Sequence, residues 1–241
     1  MSNPLQQFSL HRIIPIEFAG YDISFTNSSL FMIIAVSFAC IILLVTSKKK
    51  LIIPSKAQAF AEIFYDLISS MVSINLGKKG EKFLPLILSI FLFILFSNLI
   101  GILPYAFTTT SHIVINFVLA MIIFTVIILT GLILHGFKFF SLFLPKGTPW
   151  WLVPSMIIIE IFSFLAKPFS LSLRLTANMI AGHVLLKVMS GFIVSLWILA
   201  KILPMVFVTV LIGFEIFVAI LQAYIFAILS CVYLQDAIDL H

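Results

Sequence analysis

The run from Phe83 to Pro104 carries no charged side chain, and no other feature constrains the fold as strongly. A helix needs about 20 apolar residues to cross the ~30 Å hydrocarbon core of a bilayer, so a run of this length reads as a membrane span. Several further windows are as apolar, and together they leave 62% of the 241 residues hydrophobic and only 10% charged. A soluble domain carries about 25% charge. In lipid every backbone polar group must find its partner within the protein, and a helix does this within one segment. The expected fold class is therefore all-α, a single polytopic membrane domain of about five membrane helices, the last two long and strongly tilted.

The formal net charge is +5, but the lysines gather at the ends of apolar segments, at Lys48 to Lys50 and at Lys78, Lys79 and Lys82. That is the positive-inside pattern of a membrane protein, not the footprint of nucleic acid. Met1 to Ile16 lacks the basic start, short apolar run and small-residue cleavage site of a secretory leader, so no removable leader is expected. Cys40 and Cys231 both lie in apolar stretches, where a thiol packs as a small hydrophobe. Neither a disulfide, a metal site nor a cofactor is expected.

Residues 1–26 are mixed in polarity and read as an outer-side segment that ends at Asn27-Ser28-Ser29, a helix cap. A first span follows over 29–46, with Lys48 to Lys50 on the inner side. Residues 55–76 set Glu62 and Asp66 among Phe60, Ile63, Phe64, Leu67, Ile68 and Met71, a pattern suited to an amphipathic helix on the inner surface. Residues 83–104 and 113–137 form a helical hairpin around a short loop with Tyr105, three threonines and His112. His112 and His135 near span ends read as interfacial.

Beyond Lys138 and Lys146 lie two longer apolar stretches, 150–189 and 192–235, separated by Ser190-Gly191. Either one as a continuous helix would reach ~60 Å, twice the hydrocarbon thickness. Each must tilt, fold back or break, and Pro154, Pro168 and Pro204 offer break points. No soluble domain, tandem repeat or nucleotide-binding glycine loop is visible.

These two stretches hold the charges that need a reason. An ionisable residue at a span centre costs roughly 2.5–3.5 kcal/mol on insertion scales. Glu160, Lys167 and Arg174 are spaced i, i+7, i+14, and seven residues at 100° return to within about 20° of the starting direction, so all three share one helix face. Ser170, Asn178 and Ala181 lie near that stripe, and Leu171, Leu173 and Leu175 point elsewhere. Glu215 and Gln222 share a face by the same rule. Glu160 and Lys167 could be a structural ion pair. Arg174 has no second acid within a turn or two of its own helix. A guanidinium stays protonated, so it cannot relay a proton but can act as a permanent cation, and an acidic partner from another chain is implied. His183 and Glu215 are the groups able to exchange protons.

The segment Lys167-Pro-Phe-Ser-Leu-Ser-Leu-Arg174-Leu-Thr-Ala-Asn178-Met-Ile-Ala-Gly182-His183 resembles the signature of subunit a of the F-type ATP synthase. Glu215, then Leu221-Gln222-Ala223-Tyr224-Ile225-Phe226 and Tyr233, are similar to that family's last helix. Ser97-Asn98-Leu99-Ile100-Gly101-Ile102-Leu103-Pro104 fits as well, so the resemblance covers nearly the whole chain. It implies a stator subunit with no catalytic site of its own, working beside a rotating ring of c subunits and the stalk subunit b. Proton transport would be coupled to ATP synthesis. Arg174 would face each ring carboxylate in turn. His183, Glu215, Asn178 and Gln222 would line the inlet half-channel, and Glu160 and Lys167 the exit half-channel. Small residues Ala177, Ala181 and Gly182 would let the rotor approach closely. Some bacterial members carry an acid where His183 sits and a histidine where Glu215 sits. The exchanged order here is that of mitochondrial and alphaproteobacterial-type members, so the expected location is a bacterial inner membrane of that type, or alternatively the mitochondrial inner membrane.

Two other classes stay open on the residues alone. A secondary ion-coupled transporter also uses broken helices and buried charges, but it often carries a halved repeat, which is not visible here. A purely structural membrane subunit would pair its charges internally.

Overall fold

The computed structural model describes residues 9–18, 21–22, 24–48, 55–103, 106–143, 150–195, 197 and 201–238. Lys49, Lys50, Pro104, Tyr105 and Lys146 lie outside those residues. Two short antiparallel ribbons open the fold: β1 (Arg12–Ile14) pairs with β4 (Phe25–Thr26), and β2 (Glu17–Phe18) with β3 (Tyr21–Asp22). Isoleucine, phenylalanine, tyrosine and threonine dominate these strands and suit a pleated surface. Residues 1–26 read only as mixed in polarity, so this strap is an addition to the helical fold.

Asn27 stitches the strap to the first helix, α1 (Asn27–Lys48). Its backbone N–H donates to the His11 carbonyl at 3.1 Å. Its side-chain oxygen accepts from the N–H groups of His11 at 3.2 Å and Ser28 at 3.0 Å, and its amide donates to the Ser9 carbonyl at 3.3 Å.

Helix α2 (Lys56–Leu76) starts at Ser55, whose hydroxyl accepts from the Gln58 N–H at 3.3 Å. Its apolar residues divide between two sides. Ile68, Met71, Val72 and Leu76 are buried, whereas Phe60, Ile63 and Leu67 are exposed. The buried side packs against α1, against α3 (Leu84–Ile102) and against α6 (Ile202–Ile238). Helices α4 (Ile113–His135) and α5 (Val153–Ser195) complete the bundle. Among the described residues five helical segments are long and apolar enough to cross a membrane: α1, α2 running on through α3, α4, α5 and α6.

Of the alternatives the sequence left open, tilt, fold-back or break, no break occurs at the prolines, and α5 and α6 each run as one helix. Pro154 is the second residue of α5 and Pro204 the third of α6, first-turn positions where the missing donor has no intrahelical acceptor to lose. Pro168 is interior, yet α5 continues through it. The boundary at Ser190-Gly191 is also overrun, since α5 extends to Ser195. A mid-helix glycine costs only about 1 kcal/mol against alanine, too little to end a long packed helix. At 1.5 Å per residue the 43-residue α5 and 37-residue α6 extend about 64 and 55 Å. Both exceed the hydrocarbon thickness, so crossing it within apolar surroundings requires strong tilt.

Helix α3 is the bundle's centre, with Phe91, Leu92, Ile94 and Leu95 almost fully buried. Its main partner is α6, which presents Ala219, Ala223, Ala227 and Cys231 at four-residue intervals, all buried. Burial from lipid into protein gives little hydrophobic gain, so close backbone approach over small residues carries the packing. Asn98 adds a hydrogen bond from its amide to the Ala219 carbonyl at 3.3 Å. On the other side, the Asn116 amide donates to the Thr110 carbonyl at 2.6 Å and the Thr176 hydroxyl at 2.7 Å, which ties α4 to α5. The result is a fixed scaffold against which α5 and α6 lie side by side.

Candidate functional site

Helices α5 and α6 meet along a seam with three polar contacts. The Lys167 ammonium donates to Asp236 at 3.2 Å, the Asn178 amide donates to Gln222 at 2.9 Å, and His183 Nε2 lies 3.6 Å from Glu215 Oε1. As the α5 number rises the α6 number falls, so the helices are antiparallel. Along α5 the rungs are separated by about 16 Å and then about 8 Å, at 1.5 Å per residue.

The His183–Glu215 rung is the most enclosed. Glu215 is 6% exposed, and neither of its carboxylate oxygens accepts a hydrogen bond among the described residues. The 3.6 Å approach is within ion-pair range but longer than a hydrogen bond. Gly182 makes room for it. A Cβ at that position would stand 2.7 Å from Glu215 Oε1, so the carboxyl occupies the space a side chain would fill. The sequence expected Gly182 to serve an external helix, but it serves α6. Ala177 and Ala181 do remain exposed.

Arg174 stands on the exposed face of α5, with Ser170, Asn178 and Ala181 around it, while Leu171 and Leu175 turn into the core. Leu173 is exposed as well. Among the described residues Arg174 makes no ion pair, and neither Glu160 nor Glu215 reaches it. Tyr233 of α6 is near enough to feel its charge. Along the helix axis Arg174 lies one turn from Asn178 and two turns from Lys167.

The possible Glu160–Lys167 pair does not form. Seven residues on a helix share a direction but are separated by about 10.5 Å along the axis, beyond the reach of an ion pair. Lys167 turns across the seam to Asp236, and its ammonium also lies over the rings of Tyr233 at 4.6 Å and Phe164 at 5.3 Å. Glu160 is half-buried on the same end of α5. Asp236 was missed because the apolar stretch seemed to end before it. An acid one turn after Tyr233 on a helix still in register was the signal.

At the opposite end of the seam a cavity of about 740 Å³ lies between the strap, the start of α1, the end of α3 and the two long helices. His11, Asn27, Thr108, His183, Lys187 and Ser190 are among its lining residues. His183 thus borders the cavity while its Nε2 faces Glu215. The strap and Lys187 were not anticipated as parts of the site.

The two histidines near span ends differ. His135 Nε2 is 2.9 Å from the Ile238 carbonyl and joins α4 to the end of α6. His112 stacks on Phe107 at 5.2 Å beside the buried Thr108 to Ser111. Burial holds its imidazole below the usual 6.5.

Such a seam can hand a proton between an imidazole and a carboxyl next to a space large enough for many waters, then stop at a cation that cannot release one. A family model described as ATP synthase A chain matches residues 29–235.

Proposed function

Because the chain belongs to the ATP synthase A chain family, and is thereby a membrane-sector subunit of ATP synthase, we propose that it provides two offset proton half-channels to a rotating ring of c subunits. The inlet runs from the outer cavity through His183 and Glu215, with Gln222 and Asn178 continuing toward the exposed face. The exit lies around Glu160, Lys167 and Asp236 at the other end of α5. Arg174 separates them. A proton moving down the membrane potential releases about 2.3 kcal/mol per 100 mV, and a direct crossing would dissipate it without work. A fixed guanidinium between the halves repels the proton that would take the short path and attracts a ring carboxylate that has just released its own. The remaining partner is the stalk subunit b, which would hold this subunit still while the ring turns. His183 favours protons over sodium as the coupling ion, because imidazole binds protons near neutral pH.

One observation carries this reading: Arg174, a permanent cation, is exposed on α5 without an ion pair among the described residues, while Lys167 and His183 on the same helix each face an acid. The test is Arg174→Ala in the complete ATP synthase. Assembly should be normal and ATP-driven proton pumping should be lost. A purely structural subunit would give the reverse, with poor assembly and normal pumping by whatever complex forms.

A further inference from the structure

Among the described residues, the charged side chain that lines the outer cavity is a single cation, Lys187. Lys187 lines it one helical turn beyond His183, on the same face of α5, and His11 lines it from the strap. Asn27, Thr108 and Ser190 supply neutral polar groups, and among the described residues no carboxylate lines it. Lys187 is half-buried, so its ammonium acts in a medium less screened than bulk water. The strap that brings in His11 is fixed by the four hydrogen bonds of Asn27. At about 740 Å³ the space exceeds by far the ~30 Å³ share of one water.

A cavity of this kind repels hydrated cations, hydronium included, and concentrates small anions. Free protons are scarce near neutral pH, whereas weak-acid oxyanions carry exchangeable protons in abundance. We propose that the cavity admits a small protonated oxyanion of the dihydrogen phosphate type, which Lys187 holds beside His183 as the immediate proton donor. The O–H bond of the oxyanion breaks as an N–H bond forms on the imidazole, and the oxyanion leaves with one more negative charge. The imidazolium then releases a proton toward Glu215, whose Oε1 lies 3.6 Å from His183 Nε2. This inference rests on the inlet reading above.

The experiment uses the complete ATP synthase in lipid vesicles at fixed pH, ionic strength and membrane potential. Proton flux is measured with either phosphate or the amine buffer Bis-Tris facing the cavity. The readout is the ratio of the two fluxes, which a merely structural lysine would not change. The wild-type ratio should be at least about 3, the effect of one charge about 6 Å away in water, and up to about 100 at an effective dielectric near 20. Lys187→Gln should bring the ratio to one, and Lys187→Arg should keep it high. A wild-type ratio of one, or an unchanged ratio in Lys187→Gln, overturns the proposal. Glu215→Gln distinguishes the two levels: if that variant conducts normally in both buffers, the inlet reading itself fails, whatever Lys187 does.

Discussion

Along α5 the problem of charge in lipid is solved in two opposite ways. Toward α6 its polar residues are matched: Lys167 has Asp236, Asn178 has Gln222, and His183 has Glu215. On the exposed side Arg174 has no such match among the described residues, although the cost of an isolated charge is greatest for a group that cannot lose its proton. Matched groups can be explained by stability alone. An unmatched cation cannot, and this is why we propose a partner from outside the chain for the exposed side, whereas the seam finds its partners on α6.

The largest expected effect tests the unmatched side. Arg174→Lys preserves the formal charge but replaces a planar, permanently charged fork with an ammonium that can lose its proton when desolvated. Proton pumping should fall to background in vesicles containing the assembled complex. Full pumping would mean that any cation suffices, and the distinction between the two sides of α5 would weaken to one of charge placement.

How much of this contrast was legible in the sequence follows from what spacing encodes. Helical periodicity fixes direction, so the shared face of Arg174, Ser170 and Asn178 was readable, and the family motifs identified the long helices. Direction alone says nothing about what stands opposite. Glu160 and Lys167 point the same way, yet the partner of Lys167 comes from α6, and only tertiary packing supplies it. Gly182 was legible as a small residue, but its use by Glu215 depends on the register of two helices. The strap was hidden because strands of two or three residues leave no periodic signal, and their order comes from the side chain of Asn27. Proline left the choice between tilt and break open, because only the structure shows that first-turn positions and tight packing tolerate these prolines.

The second effect asks whether the seam is functional or merely satisfied. Gly182→Ala introduces a Cβ 2.7 Å from Glu215 Oε1. The carboxyl is the far end of a flexible side chain and can swing aside, so stability should change by less than about 1 kcal/mol. His183 and Glu215 would then be parted, and pumping should drop about 10-fold or more, as for loss of a positioned proton-transfer group. A variant with normal pumping and normal melting would show that the 3.6 Å approach has no role in transport.

The third effect concerns the rung at the other end. Asp236→Asn removes the anion from Lys167 but leaves the rings of Tyr233 and Phe164 beneath its ammonium. The side chains of Lys167 and Asp236 are 20% and 38% exposed, so solvent screens the pair and the destabilisation should be about 1 kcal/mol or less. The informative comparison is Lys167→Asp combined with Asp236→Lys. If the double variant melts closer to the wild type than either single one, the rung is an ion pair with a stabilising coupling. If the loss in the double variant is simply the sum of the two single losses, the contact contributes nothing of its own, and α5 has only two matched rungs.

The smallest effect sets a control outside the seam. His112 is held below its ordinary 6.5 by burial, its Nε2 is buried without a hydrogen-bond partner among the described residues, and it stacks on Phe107. The folded state therefore favours the neutral ring. Its full contribution to stability is present above the unfolded value of 6.5 and declines as pH falls below it, because the unfolded chain takes up the proton first. His112→Gln should flatten the loss of thermal stability of the purified complex between neutral pH and about 5.5, with pumping at neutral pH little changed. An unaltered acid slope would remove His112 as a titrating element of the hairpin. A large loss of pumping at neutral pH would instead extend the transport path beyond α5 and α6 into the hairpin, and the division between matched seam and inert scaffold would have to be redrawn there.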